Sequence, residues 1–457
     1  MKGLLLVFII VTLTSCSFDN KTGIWKDASN TSLESQTTKS ITENKSGTRY
    51  EDIFIKNQTF NEEKEINNSS NIELTVPVKI TNWLEQYAIP TNNISNFSYN
   101  DNKVLLLKSR KLSKLSSNKD FSNKKIIFYK NNLISHDHKG TIFIYSLNSN
   151  RKIFEYNFYK KNFKNFNKEI NLIVNENILY AADNLGYLYA LDLDKKSIIW
   201  AKNYGIPFRS NLKLANNQIF LANQDNVIYS INPKTGEKNW QFATSLTFLK
   251  SDFENNFALD SVNKNLFFLN TSGELYSINY LKKKINWILN FKNSSSAGDT
   301  ELFLSQPLVI KNDNLIVTTK KSILSYNTLT ASKNWNFSSE PIFKPIITLN
   351  NTYAILTKDL LICLDNASGN VIWSKKIFKK IENKKIKKKF GHIADFKIVN
   401  SQITIYSKNG YQMSFNPSNG DLISSDRINK SGIASEVFFL DDKMLFVDHK
   451  NKLLKFN

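Results

Sequence analysis

Five times in this 457-residue chain an apolar stretch ends on Asp or Asn, and a Trp follows eight residues later. Leu188–Asp192 leads to Trp200, Ile228–Asn232 to Trp240 and Leu275–Asn279 to Trp287. Ile323–Asn327 leads to Trp335 and Leu361–Asp365 to Trp373. Weaker copies flank these: Ile142–Ser146 leads to Phe154, Gln412–Asn416 leads to Ser424, and Leu453–Asn457 supplies a last anchor. Anchors at 146, 192, 232, 279, 327, 365, 416 and 457 are spaced by about 44 residues on average, the length of one four-stranded propeller blade.

Two columns give the pattern physical content. Two residues before the anchor the side chain is small: Ala190, Ser230, Ser277, Ser325, Cys363, Ser414. One residue before, it is large: Leu191, Ile231, Ile278, Tyr326, Leu364, Phe415. That alternation is the period of a strand whose faces meet different neighbours. Thr235-Gly236, Ser368-Gly369 and Asn419-Gly420 then read as tight hairpin turns, since Gly and Asn tolerate positive φ. The expected fold is all-β: an eight-bladed β-propeller of four-stranded antiparallel blades over residues 96–457, with seven blades the other count. The last repeat lacks its outer strand. A propeller leaves no long open edge, so an N-terminal strand near Val104–Leu107 is expected to close the ring.

The front of the chain has a different character. Met1-Lys2-Gly3 precedes an apolar run, Leu4–Val11, too short to span a bilayer. The run ends in Leu13-Thr14-Ser15-Cys16, which resembles the bacterial lipobox. Residues 1–15 read as a lipoprotein signal peptide, Cys16 as the lipidation site, and 16–95 as a flexible polar tether. Ser17–Ser70 is too poor in apolar residues to fold alone. Ile72–Pro90, with Trp83, is more apolar and is expected to pack along the propeller rim.

Cys363 is the remaining Cys, in a strand column that favours a buried structural role. The net charge of +21 could serve nucleic acid or anionic lipid. No nucleic-acid module is visible, and dispersed surface lysines are the favoured reading. A cluster from Lys379 to Lys389 lies in the longest anchor interval and reads as an inserted loop. His136, His138, His392 and His449 show no spacing that would gather three or four metal ligands.

The stretch Ser230-Ile231-Asn232-Pro233-Lys234-Thr235-Gly236-Glu237-Lys238-Asn239-Trp240 resembles the Trp-docking motif of quinoprotein-type (PQQ-like) propellers. Two families share it. One is the quinone-dependent dehydrogenases, which use an adjacent Cys pair, a catalytic Asp and calcium ligands; none of these is apparent here. The other is the BamB family, the propeller lipoproteins of the outer-membrane β-barrel assembly machinery. Ser272–Ser277 and the stretch Ser296–Pro307 also look like that family. This second resemblance implies a non-enzymatic outer-membrane lipoprotein on the periplasmic face, a monomeric propeller within a complex. It implies no cofactor, no metal and no nucleic acid. The implied partner is the barrel-inserting subunit, bound through its periplasmic domains, with outer-membrane lipid engaged by the acyl anchor. By loop position the partner-binding residues would be Phe248, Leu249 and Lys250, then Glu301 and Leu302, with Arg209 a further exposed-loop candidate. Lys250 stands where the family has Arg, which removes a bidentate contact. Trp200, Trp240, Trp287, Trp335 and Trp373 would be structural docking residues. The alternative is a periplasmic ligand-binding or quinone-dependent propeller.

Overall fold

Each repeat is a four-stranded antiparallel sheet, and there are eight of them. The computed structural model describes residues 16–18, 25–27, 60–66, 72–94, 96–113, 125–159, 163, 166–246, 254, 256–292, 302–378 and 388–457. The chain divides into two units, 1–56 and 57–457. In the first, Cys16–Phe18 pairs antiparallel with Trp25–Asp27.

The second unit is the propeller. The innermost strands of blades 1 to 4 are Ile127–Tyr129, Ile170–Asn175, Lys213–Ala215 and Asn256–Asp260. Those of blades 5 to 8 are Val309–Lys311, Ile346–Ile347, Ile393–Val399 and Phe438–Leu440. Three further strands follow in each of blades 1 to 7. Blade 8 takes its outer strand from Leu105–Lys111, which pairs with Lys452–Phe456. Apolar side chains of adjacent blades interlock into clusters, such as Ile219, Leu221 and Ile231 against Tyr180, Leu188 and Ala190, and one cluster spans both sides of blade 8. Each fully buried aliphatic contributes about 1.5–3 kcal/mol.

The small-residue column now has a cause. Ala190, Ser230, Ser277, Ser325 and Cys363 lie directly across from Trp200, Trp240, Trp287, Trp335 and Trp373 in the register. A small partner leaves room for the indole. Where Phe154 replaces Trp, its partner is the larger Ile144. In each case the register shifts immediately after the small residue, so a bulge re-aims the outer strand.

Four indoles reach the next blade. Trp200 Nε1 donates to Pro233 O (2.9 Å), Trp287 to Thr328 O (3.1 Å), Trp335 to Asn366 O (2.8 Å) and Trp373 to Pro417 O (2.9 Å). Each acceptor is the residue just after the next anchor. The turn glycine lies on the indole face: a Cβ on Gly420 would stand 2.5 Å from Trp373 Cζ3, and its φ is +73°. Trp240 departs from this scheme. The next turn carries Lys283 (φ 54°) in place of a Gly platform, and Trp240 Nε1 bonds Gln218 Oε1 of its own blade at 3.2 Å.

The stretch Ile72–Pro90, expected along the rim, leaves it from Val78 onward. Residues 60–66 lie along the outer strand of blade 6, Val371–Lys376, where Lys64 and Ser374 exchange backbone hydrogen bonds at 3.1 and 2.9 Å. Residues 78–100 then cross one mouth of the central channel. The compact unit therefore extends N-terminally past position 96.

Candidate functional site

Innermost strands all run the same way, so their two ends define the two mouths of the channel. At their C-terminal ends the segment 78–100 touches every blade. Trp83 and Phe128 of blade 1 exchange backbone bonds, both 2.8 Å. Leu84 O accepts from Val174 N of blade 2 (2.9 Å), Pro90 O from Leu259 N of blade 4 (2.9 Å) and Thr91 O from Ile310 N of blade 5 (3.0 Å). Asn93 Oδ1 accepts from Ile347 N of blade 6 at 3.1 Å. Phe97 O accepts from Asn400 N beside blade 7 (2.8 Å), and Ile80 O from Asp441 N beside blade 8 (2.8 Å). Blade 3 contributes Lys213, whose ammonium bonds Glu85 and, at 2.6 Å, Asn92 Oδ1.

Asn92 is the centre of this plug, 1% exposed and in the left-handed region at φ 60°. Its side-chain amide donates to Phe257 O (2.8 Å) and Leu308 O (2.9 Å), while its backbone carbonyl accepts from Lys344 Nζ (2.6 Å). Burial pushes Lys344 down to about 7. A cavity of about 250 Å³ behind the plug also holds Asp395, Lys397 and Glu436. Lys397 donates to Asp395 at 3.1 Å, and burial raises Glu436.

Among the described residues the opposite mouth is open. A chamber of about 590 Å³ is floored by Gln86 and Tyr87 of the plug, and its wall includes Lys125, Glu169, Arg209 and Glu254. These charges pair with one another: Lys125 with Glu254 at 2.6 Å, and Arg209 with Glu169 at 3.4 Å. Around this mouth run the linkers from each outer strand to the next innermost strand. Leu246 after blade 3 is 69% exposed and Leu304 before blade 5 is 37% exposed.

The sequence candidates fall as follows. Arg209 lines the chamber with its side chain only 11% exposed and paired to Glu169, rather than projecting from an exposed loop. Leu302 is half-buried. Beside it Phe303 stacks on Phe291, ring centres 5.9 Å apart. Phe248, Leu249, Lys250 and Glu301 lie outside the described residues, as does the lysine cluster except exposed Lys388 and Lys389. Cys16 sits in the first short strand. Cys363 is buried, and burial pushes its thiol upward. His136 lines the chamber wall, and His449 Nε2 lies 2.8 Å from Lys408 O. Among the described residues no group of three or more His, Cys, Asp or Glu could hold a metal ion. The plug was missed at the sequence level; its one signal was the apolar content around Trp83.

A quinone-and-calcium site, which the dehydrogenase resemblance would imply, does not fit this lining. Trp83, Asn92 and Phe97 of the plug line the sealed end, and the chamber carboxylates Glu169 and Glu254 are held by Arg209 and Lys125.

Trp-docked blades and an eightfold ring define a quinoprotein-like propeller. The solved structure of BamB from Moraxella catarrhalis superposes on it with a TM-score of 0.59 at 12% identity, covering 78% of this chain and all of that one. The quinohemoprotein alcohol dehydrogenase of Comamonas testosteroni gives 0.58 at 8% identity, covering 82% of this chain and 80% of that one. At such identities the likeness shows the fold alone. A profile of the family described as outer membrane protein assembly factor BamB matches residues 139–375, more than half of the chain. The chain belongs to that family. An outer membrane protein assembly factor BamB from Legionella pneumophila (strain Paris) is 32% identical over 69 residues, 15% of this chain. The aligned stretch spans only 17% of that relative's length.

Proposed function

We propose that the chain is a non-catalytic outer-membrane lipoprotein that assists assembly and insertion of β-barrel proteins. It is anchored through lipid on Cys16, faces the periplasm, and holds the periplasmic domains of the barrel-inserting subunit. The observation that carries this reading is family membership over residues 139–375. The geometry is consistent with it. A rigid ring presents variable linkers at one open mouth, and such linkers can carry contacts without disturbing the blades. The pairing of the chamber charges with one another supports a scaffold rather than a catalyst.

Contacts are assigned to the linkers after blades 3 and 4: Phe248, Leu249, Lys250, Glu301 and Leu302, with Arg209 a further candidate. Docking is by these loops or by strand addition. Co-purification after mild detergent extraction tests the reading. Leu249→Ala with Lys250→Glu is expected to reduce recovery of the barrel-inserting subunit. Unchanged recovery with a folded propeller would contradict the site.

A further inference from the structure

The ring is closed where its first and last strands meet. Leu105–Lys111 pairs with Lys452–Phe456 through two register shifts, so this seam has fewer regular ladder bonds than a hairpin of the same length. No turn joins the two strands. At the inner edge of the same blade, residues 78–100 tie blade 8 to blade 1. Ile80 bonds blade 8, Trp83 bonds blade 1, and the Trp83 ring meets Phe438 of blade 8 edge-on at 5.0 Å. Phe438 in turn meets Phe128 of blade 1 at 5.1 Å.

The rest of the segment does for the other blades what Trp83 does for blades 8 and 1. It supplies main-chain or amide acceptors to Phe128, Val174, Leu259, Ile310, Ile347, Asn400 and Asp441, one near the C-terminal end of the innermost strand in each of seven different blades. Lys213 adds blade 3. These amides lie at or just beyond the ends of the innermost strands, where a channel without the segment would offer them only water.

We infer that the sealed mouth is a polypeptide-binding site whose resident ligand is this chain's own segment 78–100, acting as a clasp that makes eight blades open and close as one unit. Blades contacting only their two neighbours behave as a nearly one-dimensional array, in which each can open with partial independence. A segment bonded to all of them removes that independence. Asn92 is its keystone, because its side chain and backbone together bond blades 3, 4 and 5 and Lys344, which precedes blade 6. The inference goes beyond the proposed scaffold role and needs no partner to be present.

Native-state hydrogen exchange on the full chain, read by mass spectrometry, tests it. Peptides covering Phe128, Val174, Leu259, Ile310, Ile347, Asn400 and Asp441 are expected to lose protection together as urea is raised. In Asn92→Ser all of them should exchange about tenfold faster, the size of one lost buried hydrogen-bonding set. Exposed turn amides such as those of Lys282 and Lys283, which open locally, should change little. If only Leu259 and Ile310 accelerate, or if each amide opens with its own blade in the unaltered chain, the clasp is overturned. Should Asn92→Ser not fold, the urea series on the unaltered chain decides alone.

Discussion

Lys213 Nζ donates to Asn92 Oδ1 at 2.6 Å in the interior of the ring, and its second partner is the buried carboxylate of Glu85. The lysine side chain is fully buried and Glu85 only 6% exposed. Burial lowers Lys213 and the carboxylate raises it, with burial the larger effect. Removing one charge strands the other. Lys213→Met is expected to cost about 3–5 kcal/mol, whereas Lys213→Met with Glu85→Leu should recover most of that loss. Urea unfolding of the two variants checks it; equal costs would mean that no charge is stranded.

The docked indoles should differ according to their acceptors. Trp373 is completely buried and bonds Pro417 of the next blade. Trp373→Phe is expected to cost about 2–3 kcal/mol, from a lost buried hydrogen bond and lost packing. Trp240 is half-buried and bonds only within its own blade, so Trp240→Phe should cost about 1 kcal/mol or less. Thermal unfolding midpoints rank the pair.

Gly420→Ala should destabilise by about 2 kcal/mol or more, since the new methyl would enter Trp373 from a left-handed backbone. Ala331 already occupies the matching turn position at φ 60°. Ala331→Gly should therefore be tolerated, with a midpoint unchanged or raised.

Lys344 gives the stability curve a slope on its alkaline side. Its folded value is lowered to about 7 by burial, with Lys397 and Lys213 adding to the fall and Glu436 and Asp395 opposing it. The unfolded chain keeps this proton up to the ordinary lysine range. Folding therefore releases a proton between those limits, and stability rises with pH across that window. Lys344→Met should flatten the rise between about pH 7 and 10 in unfolding free energies measured at each pH.

Much of the ring was legible because its signals are local and repeated. An anchor, a turn and a Trp lie within one hairpin, so Ser230, Gly236 and Trp240 stand close in both sequence and space. The outer strand of blade 8 showed as an apolar run with no blade of its own. The plug was not legible. Its partners are backbone groups hundreds of residues away: Asn93 meets Ile347, and Asn92 meets Leu308. Asn-rich composition read as solvated chain, yet these amides serve buried strand ends, where an Asn supplies both donor and acceptor. Arg209 was expected on an exposed loop, and what placed it in the chamber wall was Glu169, from a different blade. The partner loops after blades 3 and 4 rest on family position alone.

The most direct test is the affinity of the purified chain for the isolated periplasmic domains of the barrel-inserting subunit. The account predicts saturable binding that is lost in Leu249→Ala with Lys250→Glu and kept in Val76→Asp, a change at an exposed residue just before the plug segment, beside Asn96. Absence of binding by the unaltered, folded chain would contradict the scaffold role, and loss in Val76→Asp alone would place the docking face on the wrong side of the ring.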